Sequence, residues 1–98
     1  MTEIAPEFAG RLALVTGGAR GIGRACCLRL AAGGAKIALN YAANHAAAAE
    51  TKAMVEAAGG TCELFQADVG DEAAFAAAVN AANQRLGPIS YLVANAGT

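Results

Sequence analysis

Residues 11–23 read RLALVTGGARGIG, and this stretch decides the fold. Arg11 to Thr16 is a short apolar run bounded by Gly10 and Gly17, the pattern of a buried strand. Glycines follow at 17, 21 and 23. From about Gly21 to Ala32 the chain then carries Ile22, Cys26 and Leu30 at i, i+4 and i+8, which predicts a helix with those three residues facing inward. Glycines let the backbone take unusual dihedrals and approach a ligand closely. The helix start presents unpaired N–H groups and a partial positive charge, which suits a phosphate. Each such interaction is worth about 0.3–1 kcal/mol. The spacing is T-G-x-x-x-G-x-G rather than G-x-G-x-x-G, and no Gly-Lys-Ser/Thr follows, so it is not a P-loop. The plain alternative is a tight strand–helix turn that binds nothing.

Outward from this turn, short apolar runs and helical stretches alternate. Gly33-Gly34 stops the first helix, and Lys36 to Tyr41 is a second strand. His45 to Ala58 is an alanine-rich helix carrying Met54 and Val55, closed by Gly59-Gly60. Thr61 to Val69 reads as a third strand. Asp71 caps a helix that runs to about Leu86 with Phe75 and Val79 inward, and Gly87-Pro88 ends it. Ile89 to Ala94 is a fourth strand. Such alternation predicts an α/β protein with a parallel sheet. No linker, low-complexity tail or separate repeat interrupts it.

Bulk composition narrows the function. The net charge is -1 and the Lys and Arg residues are dispersed, so nothing resembles the basic patch that a nucleic-acid partner requires. Met1 to Gly10 carries Glu3 and Glu7 without a cationic flank and apolar stretch, unlike a signal peptide. No apolar run approaches the roughly 20 residues that span a bilayer. These features predict a cytoplasmic chain with no membrane partner. Hydrophobic residues make up 56% of the chain, but many are alanine, so the core must rest on scattered Leu, Ile, Val, Phe and Met. Cys26, Cys27 and Cys62 form no C-x-x-C pair, which argues against a metal and for free thiols in a reducing compartment.

The T-G-G-A-R-G-I-G turn resembles the hallmark of the classical short-chain dehydrogenase/reductase family, and later segments match that family at the expected positions. The resemblance covers the chain from Gly10 onward. It implies a Rossmann-like parallel sheet of strand order 3-2-1-4, with the first two helices on one face and the third on the other. Residues 1–98 would then be the N-terminal, dinucleotide-binding half of a single domain. Leu39-Asn40-Tyr41 ends the second strand just over 20 residues after Gly17, where the fold faces the adenosine ribose. An acid there favours NAD; the neutral Asn40 does not repel a 2′-phosphate, and Arg20 stands where NADP-preferring members carry a cation. The alternatives are an exposed loop charge for Arg20 and strand-end turn chemistry for Asn40. In the family, an Asp-Val pair like Asp68-Val69 meets the adenine edge; Asp68 can equally belong to the turn before the next helix. Ile89 to Gly97, ISYLVANAG, resembles the family's N-N-A-G strand, with Ala94 in place of the first Asn and Ser90 where many members carry Asp. The implied cofactor is NADP(H), held by Thr16, Gly17, Arg20, Gly21, Ile22, Gly23, Asn40, Tyr41, Asp68, Val69, Asn95, Ala96 and Gly97. The turn followed by A-L-N-Y is similar to 3-oxoacyl-[acyl-carrier-protein] reductases. A NAD-preferring member of the same family is the alternative.

The family's chemistry is hydride transfer between a nicotinamide and a carbonyl or alcohol, with a serine, a tyrosine and a lysine four residues after it. This chain has no Y-x-x-x-K: Tyr41 is followed by His45 and Tyr91 by Asn95. Ser90, the single serine, lies mid-strand, and His45 reads as a solvated or capping residue. No catalytic residue carries over. The expectation is a cofactor-binding fragment, inactive alone, whose small-molecule substrate and homo-oligomeric contacts belong to a longer form. A non-catalytic dinucleotide-binding module uses the same turn and is the second reading.

Overall fold

The computed structural model describes residues 8–17 and 21–95. It contains β1 (Leu12–Thr16), α1 (Gly21–Ala32), β2 (Lys36–Tyr41), α2 (His45–Ala57), β3 (Thr61–Gln66), α3 (Glu72–Leu86) and β4 (Ile89–Ala94). The four strands form one parallel sheet in the order β3-β2-β1-β4. The expected α/β, Rossmann-like architecture is therefore present.

Side chains alternate across a strand, so each central strand feeds two layers. Ala13, Val15, Ile37, Leu39 and Tyr41 point to one face, where they pack with Cys27 of α1 and with Ala48 and Val55 of α2. Leu12, Leu14, Ala38, Phe65 and Ala67 point to the other, against Ala78 and Ala82 of α3. All five residues of β1 are buried, the signature of a parallel strand covered on both faces. Right-handed crossovers account for the split: the chain moves one way along the sheet through β1, β2 and β3, then reverses to reach β4.

The helices differ in detail from the sequence expectation. In α1 the buried residues are Gly23 and Cys27, not Ile22, which is 74% exposed; Cys26 and Leu30 are half-buried. The stripe is turned by one residue, and the small Gly23 sits at the buried position. In α3, Ala78 and Ala82 are buried while Phe75 and Val79 are half-buried. The third strand ends at Gln66, three residues before the expected end, so Asp68 and Val69 lie in the connection to α3.

Polar clamps join the layers. Arg24 of α1 donates from Nε to Thr51 Oγ1 (2.8 Å), and from Nη2 to the Ala47 carbonyl (3.2 Å) and to Glu50 (2.8 Å) on α2. Lys36 donates from Nζ to the Leu86 carbonyl, placing a cation at the negative end of α3. Of Gly33-Gly34, Gly34 supplies the left-handed turn (φ 96°). Gly33 makes room for a side chain the sequence reading passed over: a Cβ there would stand 2.3 Å from the Phe8 ring. Phe8 also meets Tyr91 edge to face at 5.4 Å.

Among the described residues β4 pairs with β1 alone, and Leu92 on its α3 side is 61% exposed. An apolar groove beside it is lined by Leu14, Phe75, Val79, Pro88, Ile89 and Leu92. An unpaired edge next to apolar surface recruits further copies. The 98-residue polypeptide made alone is expected to elute as oligomers in size-exclusion chromatography, and Leu92→Lys to shift it toward monomer; a sharply melting wild-type monomer would contradict this. The buried thiols of Cys27 and Cys62 are each pushed up from 9.0 to about 12, chiefly by burial. Both stay protonated in the fold below pH 9, at no cost to stability. Above pH 9 the unfolded chain ionises first, so stability falls as pH climbs from 9 toward 12. Thiol labelling at pH 8 is expected to spare Cys27 and Cys62 in the folded protein and to reach all three cysteines in guanidinium.

Candidate functional site

The C-terminal ends of β1 and β4 flank the point where the chain reverses direction across the sheet, and open α/β sheets bind ligands at such points. Thr16 ends β1 and is buried. Its Oγ1 accepts from the Asn95 N–H at 2.9 Å and donates to the Val93 carbonyl at 3.4 Å. Asn95 returns a bond from Nδ2 to the Gly17 carbonyl at 3.3 Å. The Gly17 N–H donates to the Asn40 carbonyl at 3.0 Å. The turn after β1 is thus tied to β4 on one side and β2 on the other.

Gly17 and Gly21 both hold positive φ, 66° and 64°. That conformation costs an L-residue roughly 1–2 kcal/mol, which explains glycine at both positions. Among the described residues nothing lies within 4 Å of where a Cβ at Gly21 would stand, so glycine is required there by the dihedral. The first turn of α1 carries no acidic side chain. In contrast, α2 and α3 are capped internally: Asn44 accepts from Ala47 N (3.0 Å) and Asp71 from Ala74 N (3.1 Å). The amides of Gly21, Ile22 and Gly23 suit the diphosphate of a dinucleotide, and no described side chain fills the space at Gly21.

The expected site residues are distributed around this edge. Thr16, Gly17 and Asn95 come together through the bonds above, with Gly21, Ile22 and Gly23 heading the helix. Asp68 and Val69 are exposed beyond β3, and Asp68 Oδ1 accepts from Gly70 N at 2.8 Å in the turn before α3. Asn40 is 1% exposed, and its Nδ2 points to β3, donating to the Phe65 carbonyl at 3.2 Å and the Ala67 carbonyl at 3.0 Å. Tyr41 lies on the opposite face of the sheet, with its hydroxyl 2.5 Å from His45 Nδ1. The capping residue of α2 is Asn44, so His45 serves this tyrosine instead. Arg20, Ala96 and Gly97 lie outside the described residues. Among the described residues, no group of three or more His, Cys, Asp or Glu side chains could hold a metal ion, and no helix is long and apolar enough to cross a membrane.

Sequence reasoning missed the polar ties at the strand ends. Only the side-chain types hinted at them: Thr16, Asn40 and Asn95 are hydrogen-bonding residues at the ends of three apolar strands. Thr16→Val keeps the shape, deletes both Thr16 bonds and leaves the Asn95 N–H without its acceptor. It is expected to lower stability by about 1–3 kcal/mol in urea unfolding, with the far-ultraviolet spectrum unchanged.

Residues 11–98 match the family model described as short chain dehydrogenase. An uncharacterized oxidoreductase of Escherichia coli, YgfF, is 46% identical over 86 residues, which is 88% of this chain and 35% of that protein. The short-chain dehydrogenase/reductase homolog YusS of Bacillus subtilis is 40% identical over 86 residues, covering 88% of this chain and 79% of that one. The crystal structure of a short chain dehydrogenase from Burkholderia cenocepacia in complex with NADP superposes with a TM-score of 0.89 at 41% identity, over 94% of this chain and 38% of that chain. The chain spans about a third of the length of the curated relatives it matches first. With the T-G-x-x-x-G-x-G turn seated between β1 and α1 in the 3-2-1-4 sheet, the chain belongs to the short-chain dehydrogenase/reductase family.

Proposed function

We propose that this chain is the NADP(H)-binding part of an oxidoreductase that interconverts carbonyl and alcohol by hydride transfer. The observation that carries the reading is the head of α1 at the strand reversal point, where Gly17 and Gly21 are left-handed and no described atom lies within 4 Å of the Gly21 Cβ position. The diphosphate lies on the amides of Gly21, Ile22 and Gly23. Thr16, Gly17 and Asn95 hold the two strand ends that flank it, and Ala96 and Gly97, small residues next in sequence, are assigned to the nicotinamide half. Asp68 and Val69 line the adenine side, the ends of β2 at Asn40 and Tyr41 border the ribose, and Arg20 pairs with the 2′-phosphate. The NADP in the Burkholderia cenocepacia relative supports the choice of cofactor.

In this reading the chain supplies binding and orientation and no catalytic side chain. Tyr41 and Tyr91 have no lysine four residues on, and the Tyr41 hydroxyl is engaged by His45. The serine, tyrosine and lysine act from a longer form, which also carries the pocket for a small carbonyl or alcohol substrate and the contacts of a cytoplasmic homo-oligomer. A second reading, a dinucleotide-binding module without catalysis, gains weight from YusS, which this chain matches over 79% of its length. Turnover of NADPH with keto substrates by the protein as its gene encodes it separates the two: binding with turnover supports the first, binding without turnover the second.

The cofactor assignment has its own test. Arg20→Ala is expected to weaken NADPH binding about tenfold in calorimetry, the scale of one lost charge-assisted hydrogen bond, while leaving NADH nearly unchanged. Equal affinity for the two nucleotides, before and after the substitution, would overturn the preference for NADP(H).

A further inference from the structure

Three polar residues are buried among the described ones: Thr16, Asn40 and Thr51. Thr51 accepts from Arg24 across the helix pair, and Thr16 fastens β4. Asn40 remains, and its position in the sheet is particular. It stands in register between Thr16 of β1 and Phe65 of β3, in the last pair of the β1–β2 ladder and the last but one of the β2–β3 ladder. Strand alternation puts it on the α3 face with Ala38, where it is out of reach of solvent.

Asn40 makes two kinds of contact. Its backbone carbonyl accepts from the N–H of Gly17, the first glycine of the turn. Its side-chain Nδ2 donates to the carbonyls of Phe65 and Ala67. Ala67 lies one residue past β3. Its N–H still reaches the Tyr41 carbonyl (2.9 Å), but its own carbonyl falls beyond the last ladder pair, and the Asn40 amide takes it. From Ala67 the chain passes into a short braced segment: Gly70 N–H bonds Asp68 Oδ1, and Asp71 N–H bonds the Asp68 carbonyl. One residue therefore holds the start of the 67–70 connection by its side chain and the glycine turn by its main chain.

We propose that Asn40 is a positioning residue that sets the 67–70 connection in register with Gly17, and that it acts on NADPH and NADH alike instead of selecting between them. This rests on the dinucleotide reading above. The chemistry requires a neutral amide, because two carbonyl oxygens must each receive an N–H. An aspartate at this position either faces both oxygens with negative charge or, protonated by burial, has one O–H where the amide has two N–H. An acidic residue here therefore damages the site for either nucleotide, whereas a residue that faced the ribose would exchange one preference for the other.

The test uses Asn40→Asp and Asn40→Ala in the protein as its gene encodes it. NADPH and NADH dissociation constants are measured by calorimetry, and hydrogen exchange is followed at the amides of Ala67, Gly70 and Asp71. The expected result is a loss of about tenfold or more for both nucleotides, by the same factor, with faster exchange at those three amides. A selective loss of NADPH with NADH binding kept or improved would overturn the proposal, as would unchanged affinities in both variants. If Asn40→Asp does not fold, Asn40→Ala gives the same readouts without the added charge. Wild-type protein that binds neither nucleotide removes the dinucleotide reading and the cofactor role of Asn40 with it; faster exchange in the variants would then still report the tether itself.

Discussion

The end of β1 is the constraint on which this structure depends. The strand is buried on both faces and paired on both edges, so the chain can leave it only at its C-terminal tip, and every backbone group there needs a partner. The partners are found sideways. Gly17 gives its N–H to β2 and accepts on its carbonyl from Asn95 beyond β4, while Thr16 exchanges two bonds with the same stretch.

Function follows from that arrangement by simple electrostatics. A helix that begins in glycines exposes amide donors where an anion can reach them, and a sheet whose connections reverse direction leaves a crevice beside them. The other two helices, α2 and α3, are capped by Asn44 and Asp71. Polar side chains of the described residues serve the strand ends and the helix clamps. Thr16, Asn40 and Thr51 illustrate the economy: each buried polar group has a hydrogen-bond partner, as burial demands.

Much of this was legible in the sequence. Apolar runs bounded by glycines located all four strands, and the boundaries of α1, β2 and β4 agree with the structure residue by residue. The use of glycine at 17 and 21 was readable because glycine takes unusual dihedrals at little cost, and both hold positive φ. The inner face of α1 was not readable by hydrophobicity, since Gly23 contributes no apolar side chain and Ile22 drew the stripe one residue off. The end of β3 was misplaced because Ala67, Asp68 and Val69 continue an apolar-looking alternation, whereas pairing stops where β2 stops, at Tyr41. The partners of Asn40, and of Phe8 against Gly33, are long-range contacts that no local pattern encodes.

The central claim is that the amides at the head of α1 hold a dinucleotide diphosphate. The most direct measurement is an NMR titration of isotope-labelled protein with NADPH, read at individual amides. Saturable shifts concentrated at Gly17, Gly21, Ile22 and Gly23, and mimicked in part by inorganic pyrophosphate, are the predicted result. Shifts confined to other parts of the sheet, or none at saturating nucleotide, would contradict it.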